Sequence, residues 1–383
     1  MRFSHRILGL ALVVGMLTTP PAHAYLMNDP DSRDHPQRTV ELLTSDPIRA
    51  PHWISDRLVE LIDGTPEGEE IDVVTYFIAS SRVADALSYA VRRGVRVHVL
   101  LAGNGLARQS GNGLISFLEH HGEEGSWGQR SVGAARGDAG LTHQKTWRFS
   151  RSGGRQWVIL TGSYNTSERS DRYAYAHMWE ISGDAELWSA FSTVFAAQHA
   201  QRTPVEPLVE MQGSDWEAYF MPFDNPTLGR DPAMKRLAAI PTGPSTTISI
   251  EMYSMWGPRG EWIARRLATM AAAGTRITLL TGPWVDPLIQ PAMAAAGVRL
   301  QSACFADHTY THAKDMAATW IDHGRRTWWT WLGSDNWTSQ GTTDDEAVLG
   351  LEGESLYDEY LTAFEEVRRR QGLPTAECDP IRD

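Results

Sequence analysis

The chain contains itself twice, and that duplication limits its fold more than any other feature. Residues 71–79 read as a strand, and Val83, Ala86, Leu87 and Ala90 mark one face of a helix. Gly94 stops that helix in the manner of a glycine C-cap, and residues 95–102 read as a second strand. The later half repeats this order. It has a strand over 247–253, a helix face of Ile263, Leu267 and Met270, a stop at Gly274, and a strand over 276–281. The joins correspond: Arg93-Gly94-Val95-Arg96-Val97 against Ala273-Gly274-Thr275-Arg276-Ile277, and residues 26–30 against 222–226. Each half closes on a helical stretch, over 184–200 and 354–370.

A period of about 170 residues is far too long for a solenoid and reads as a duplicated domain. Strand–helix–strand alternation predicts α/β layers. The expected fold is α/β: a two-lobed, internally duplicated α/β/α sandwich with mixed sheets. The expected domains are 25–205 and 206–383, with a seam near 201–213 that holds Pro204 and Pro207. A ligand site is expected where the halves meet.

Each half also carries His-x-Lys followed by Gly-Ser-x-Asn. One set is His143, Lys145, Ser163 and Asn165, and the other is His312, Lys314, Ser334 and Asn336. On an extended strand, residues two apart share a face, so each histidine is expected beside its lysine. Strands over 156–161 and 327–332 would deliver the serines and asparagines. Two such sets facing one another suit phosphodiester chemistry. Two lysines and two asparagines preorganise donors around phosphoryl oxygens. One imidazole attacks phosphorus, and the other protonates the leaving oxygen and then activates the acceptor. No metal and no cofactor is expected, because the cationic groups carry the electrostatics.

The paired motifs resemble those of the phospholipase D superfamily, over nearly the whole chain as two fused copies. The resemblance implies a central cleft with His143 as nucleophile and His312 as general acid/base. It also exposes departures. The superfamily usually has Asp five residues after the lysine, where this chain has Ser150 and Thr319; the tyrosyl-DNA phosphodiesterase branch lacks that Asp too. An acid roughly ten residues after the motif asparagine orients the histidine, by the logic of a triad. Glu346 fits that place in the second half and is expected to partner His312. In the first half the place holds Tyr175, Ala176 and His177, with His177 or Glu180 as substitutes.

Charge and composition narrow the substrate. The net charge is −12, the opposite of what a non-specific nucleic-acid binder uses to displace counterions. Arg2 and Arg6 precede a short apolar run and Ala22-His23-Ala24, so residues 1–24 read as a signal peptide cleaved near Ala24. The expected product is a secreted monomer acting on phospholipid at a membrane surface, by hydrolysis or transfer through a phosphohistidine. A secreted metal-independent nuclease and a catalytically silent phosphate- or lipid-binding protein are the alternatives. Only three lysines are present, Lys145, Lys235 and Lys314, and two of them fall in the motifs. Trp256 and Trp284, expected in loops after the first two strands of the second half, are candidates to line a substrate pocket with Ser163 and Ser334. Cys304 and Cys378 either form a disulfide that ties down the tail or stay as free thiols. His98 reads as a satisfied structural histidine, and the glycine-rich stretch around 103–113 as a loop.

Overall fold

The strands Glu70–Thr75 and Arg96–Ala102 are runs of valine, isoleucine and leucine with few exposed positions. Such runs suit parallel strands covered on both faces, and the two pair in parallel from Glu70↔Arg96 to Thr75↔Leu101. In the second half Thr247–Trp256 and Arg276–Val285 pair the same way. The computed structural model describes residues 25–26, 37–103, 109–121, 125–223, 227–374 and 377–380. The signal peptide read at 1–24, parts of the matched segments 26–30 and 222–226, and part of the glycine-rich stretch lie outside the described residues.

Two mixed sheets with the same strand order form the frame. The first runs Tyr25–Leu26, Thr39–Ser45, Ala174–Ser182, Arg155–Gly162, Lys145–Ser152, Glu70–Thr75, Arg96–Ala102, Trp127–Ser131. The second runs Val209–Gln212, Trp216–Phe220, Ala347–Glu352, Arg325–Gly333, Lys314–Asp322, Thr247–Trp256, Arg276–Val285, Arg299–Ser302. Each of these eight strands thus has a counterpart at the same place in the other sheet.

Helices cover both outer faces and fill the space between the sheets. Trp53–Asp63, Ser81–Arg92 and Gln109–His121 bury Leu58, Val83, Leu87 and Leu118 against Val73, Val97 and Phe149 of the first sheet. Pro232–Ala239 and Gly257–Ala272 bury Leu237, Ile263 and Leu267 against Ile248, Ile250 and Leu279 of the second. The helices that close each half, Ala185–Ala200 and Glu354–Arg368, lie in the middle layer. Their Leu187, Phe191, Leu356 and Tyr360 pack with Ile159 and Ile181 of one sheet and Phe220 and Leu349 of the other. The fold is therefore the two-lobed α/β/α sandwich with internal duplication. Gly94 and Gly274 end equivalent helices at φ +85° and +96°, the left-handed region where only glycine is unstrained.

Several expectations are revised. The strands Thr247–Trp256 and Arg276–Val285 run further than their apolar cores, so Trp256 and Trp284 stand on strand ends rather than in loops. Gly111 and Gly113 belong to the helix Gln109–His121, not to a loop. Cys304 and Cys378 form a disulfide with Cα atoms 5.8 Å apart, closing the alternative of free thiols. His98 is satisfied on both ring nitrogens, by Asp72 at 2.7 Å and the Gly125 carbonyl at 3.0 Å. Among the described residues no helix is long and apolar enough to cross a membrane.

Candidate active site

The two halves exchange arms. The chain just before Lys145 leaves the first sheet and meets the second half, where the His143 and Gln144 amides both donate to the Asp345 carbonyl, at 2.9 and 2.7 Å. The chain before Lys314 does the reverse. Tyr310–Thr311 joins the first sheet beside Ala174–Ser182, and the His312 amide donates to the Tyr175 carbonyl at 2.7 Å. Only the lysines begin the expected strands, Lys145–Ser152 and Lys314–Asp322. The histidines sit two residues earlier, on the crossing segments, so the shared strand face expected for His and Lys is not what joins them. Each lysine instead folds back, and its Nζ donates to the carbonyl of its own motif histidine.

The Gly-Ser-x-Asn segments follow Arg155–Gly162 and Arg325–Gly333. A Cβ on Gly333 would lie 2.7 Å from the Ala347 carbonyl, and one on Gly162 closer still to the His177 carbonyl. Glycine is required because the neighbouring strand passes over the turn. Ser163 and Ser334, expected to touch substrate, commit their hydroxyls to that strand: they accept from the His177 and Ala347 amides at 3.0 and 3.1 Å. They brace the turn. Asn165 and Asn336 differ, because each carboxamide oxygen is buried with no hydrogen-bond partner.

Each imidazole is oriented by the opposite half. His143 Nδ1 shares a hydrogen bond with Glu346 Oε1 at 2.8 Å. His312 Nδ1 lies 2.9 Å from the Ser163 carbonyl. Lys314 Nζ lies farther from the same nitrogen, at 3.2 Å; the carbonyl is the nearer partner and only accepts, so Nδ1 of His312 is assigned the proton and Nε2 the lone pair. Glu346 therefore partners His143, not His312 as its position in the sequence suggested. The exchange of arms is the reason, because Glu346 follows directly on Asp345, the residue that holds the His143 backbone. In the first half the Ser163 amide pairs with the His177 carbonyl as the Ser334 amide pairs with that of Ala347. Ala176 thus occupies the place of Glu346, and His312 has no carboxylate. Neither candidate substitute serves it. His177 turns to Asp315 at 2.7 Å, and Glu180 holds Arg57 at 2.7 Å and Arg155 at 2.5 Å.

Burial dominates the electrostatics. It lowers both His143 and His312 well below the ordinary imidazole range, helped by the charges of Lys145 and Lys314, which act on both rings. Burial also brings Lys145 down to about 8 and lowers Lys314. It pushes Glu346 up to about 8 against the pull of Lys145 and Lys314. Each half's charges thus act on the other's groups, so the two motif sets lie close together. The arrangement offers two neutral imidazoles, two ammonium groups and two carboxamides. It suits an anion with a reactive centre between the rings.

Ser150 and Thr319 lie five residues along the strands from the lysines, about 16 Å at a strand's rise. Ser150 ties Glu69 and the Glu70 amide, and Thr319 accepts from Arg326. The missing aspartates therefore leave the crevice itself unchanged.

Sequence reasoning missed two kinds of residue. Tyr76 and Tyr253 follow the strand residues that pair with Lys145 and Lys314. Their rings lie 5.2 Å from His143 and 4.5 Å from His312. The signal was present, since a tyrosine stands at the matching place of both repeats, Tyr76 and Tyr253. Trp284 reaches the site through this pair, its indole N–H donating to the Tyr253 hydroxyl at 2.9 Å, and it is 38% exposed. Trp256 stands 43% exposed on the neighbouring strand end. Arg259 is the other omission. It is buried and grips Asp231 and Asp335 at 2.7 Å and the Asn336 carbonyl at 2.9 Å, which fixes the second motif turn. A lone helical arginine carries no such signal in sequence.

Residues 58–198, which contain the first motif set, match the family model described as cardiolipin synthase, PLD-like domain. No curated protein sequence matches the chain. Among solved structures, phosphatidylserine synthase from Haemophilus influenzae Rd KW20 superposes with a TM-score of 0.64 at 12% identity, over 89% of each chain. Polyphosphate kinase from Porphyromonas gingivalis superposes with a TM-score of 0.58 at 15% identity, over 86% of this chain and 50% of the kinase. The chain thus spans half the length of that kinase. At these identities the likeness is one of fold. Residues 58–198 thus match a PLD-like domain, and the duplicated two-lobed sandwich around them is the fold this chain shares with the superposed structures.

Proposed function

We propose that the chain is an exported phosphodiesterase that cleaves or transfers at the phosphodiester of a phospholipid through a phosphohistidine. One observation carries the reading. Two imidazoles from separate halves are each fixed at Nδ1 by the opposite half, Glu346 for His143 and the Ser163 carbonyl for His312. Both therefore turn Nε2 toward a common crevice.

In the proposed first step, His143 Nε2 forms a bond to phosphorus while the bond to the leaving oxygen breaks. His312 takes up a solvent proton at Nε2 as the phosphodiester anion enters between the rings, and gives that proton to the leaving oxygen. Glu346 offsets the positive charge that forms on His143, and this favours His143 over His312 as nucleophile. In the second step His312 takes a proton from water or an alcohol, whose oxygen displaces His143 from phosphorus. Lys145, Lys314, Asn165 and Asn336 hold the phosphoryl oxygens. Trp256 and Trp284 are the proposed contacts for the substituent beyond the phosphate. The leader at 1–24 and the disulfide between Cys304 and Cys378 support export, where such a bond persists.

The test is turnover of phosphatidylcholine vesicles labelled at phosphorus, quenched in denaturant at mildly alkaline pH, with single-stranded DNA in parallel. Acid-labile label on His143, absent from His143→Ala, is expected with the lipid. Label or turnover with DNA alone would assign a nuclease, and label with neither would leave a silent binding protein.

A further inference from the structure

His312 lacks the carboxylate that His143 has, yet its ring is held just as closely. Its Nδ1 proton rests on the Ser163 carbonyl at 2.9 Å. Ser163 is in turn bound to His177, amide to carbonyl at 2.9 Å and hydroxyl to amide at 3.0 Å. The His177 ring reaches across to the other half, where its Nδ1 meets Asp315 at 2.7 Å. Asp315 is the next residue after Lys314, and it also accepts from the amide of Gly333, which opens the second motif turn. Following these contacts from His312 through Ser163, His177, Asp315 and Lys314 leads back to His312. The ring of contacts is closed, and it touches both Gly-Ser-x-Asn turns.

The half-sites differ at the corresponding positions. Around His143 the counterparts of His177 and Asp315 are Ala347 and Thr146, and the Thr146 hydroxyl bonds to Thr161 and Gln144. The half that has the carboxylate lacks the pair, and the half that lacks the carboxylate has it. We propose that the buried His177–Asp315 pair is a positioning device for His312, doing through Ser163 what Glu346 does directly for His143.

The pair is fully dry. His177 is 0% exposed and Asp315 1%. Burial pushes the His177 imidazole down, and the Asp315 hydrogen bond and charge more than offset it, so its pKa is raised. Glu251, the cross-strand neighbour of Asp315, faces the same ring and accepts from the Thr311 hydroxyl at 3.3 Å, one residue before His312. Asp315 pairs Nδ1 of His177, whereas its buried Nε2 has no hydrogen-bond partner among the described residues; leaving a buried polar atom unpaired is costly.

The proposal rests on the phosphodiesterase reading, so its first test needs no substrate. In protein labelled with ¹⁵N-histidine, the His312 resonance, assigned by difference with His312→Gln, is expected as a single Nδ1–H tautomer. The double variant His177→Leu/Asp315→Leu removes the pair without leaving a buried charge alone. It is expected to stay folded by near-UV circular dichroism, to lose the single tautomer, and to lower kcat on the accepted phosphodiester by about 100-fold with little change in KM, as for a misplaced reacting group. A folded double variant with tautomer and kcat unchanged overturns the proposal. Asp315→Asn keeps an accepting carbonyl for His177 and is expected to retain the tautomer; a loss as large as the double variant's would assign the role to charge and overturn positioning. If the double variant does not fold, His177→Asn and His177→Ala decide, since only the first keeps an N–H near the Nδ1 position. Equal losses in those two overturn the proposal. A retained tautomer effect with no turnover of any phosphodiester would instead refute the reaction and leave the positioning role standing.

Discussion

Glu346 and His143 lie 203 residues apart in the chain and meet at 2.8 Å, carboxylate to Nδ1, across the boundary between the two halves. The contact ties the two lobes together, since each motif imidazole is met at Nδ1 by a group from the opposite half.

Replacing Glu346 tests that contact on the rate. Glu346→Gln keeps the shape and removes the carboxylate that, in the proposed reaction, offsets the charge on a phosphorylated His143. The expected outcome is a kcat lower by roughly 10- to 100-fold, the usual cost of losing an orienting partner, with KM nearly unchanged. Steady-state kinetics on phosphatidylcholine vesicles measures it, and an unaltered kcat would mean that Glu346 does not act through His143.

Arg136 and Asp345 test the seam. The guanidinium Nε donates to Asp345 at 3.0 Å, with both side chains at most 1% exposed. Burial lowers Arg136 and raises Asp345 even though they are paired. Asp345→Ala strands a buried arginine, so about 3–5 kcal/mol of stability should be lost. Replacing both by apolar residues should recover much of it. Denaturant titration of the three proteins decides, and equal losses in single and double variants would contradict the coupling.

The pH dependence of stability has a sign. Burial and the neighbouring Glu346 charge push Asp344 up to about 8 from an ordinary 3.8. Between those values the folded chain holds a proton that the unfolded chain has released. Stability from this group is therefore full at low pH and falls as pH rises toward 8. Melting temperature should drop from pH 5 to pH 8, and Asp344→Asn should flatten that slope. A slope unaffected by the substitution would place the titration elsewhere.

The disulfide closes 74 residues of sequence separation, which ties the tail to the arm that carries His312. Loop-closure arguments put its contribution at about 2–4 kcal/mol. Reduction, or Cys304→Ser with Cys378→Ser, should lower the melting temperature while leaving kcat near its original value at 25 °C. A collapse of kcat in a still-folded reduced protein would show that the bridge also aligns the arm.

Much of the frame was legible because it rests on local pattern. Gly94 and Gly274 end matched helices, and the apolar runs rich in valine, isoleucine and leucine on either side read as buried strands. The motif residues His143, Lys145, His312 and Lys314 were legible because two copies of one spacing are hard to produce by chance. Trp256 was misplaced into a loop because a strand's end depends on which neighbour it pairs with, here Trp337–Thr338. Ser163 and Ser334 were assigned to substrate because a hydroxyl's partner is invisible until the next strand is placed over it.

The amino-acid order alone determined the duplicated α/β frame, the strand-and-helix periods and the two sets of reactive side chains, since those depend on residues near one another along the chain. Which half holds which histidine was decided only in three dimensions. Glu346 reaches His143, Ala176 leaves His312 to the Ser163 carbonyl, and His177 finds Asp315, because packing two sheets around shared central helices exchanges the arms. Contacts between groups more than a hundred residues apart are set by that packing, which no local pattern encodes.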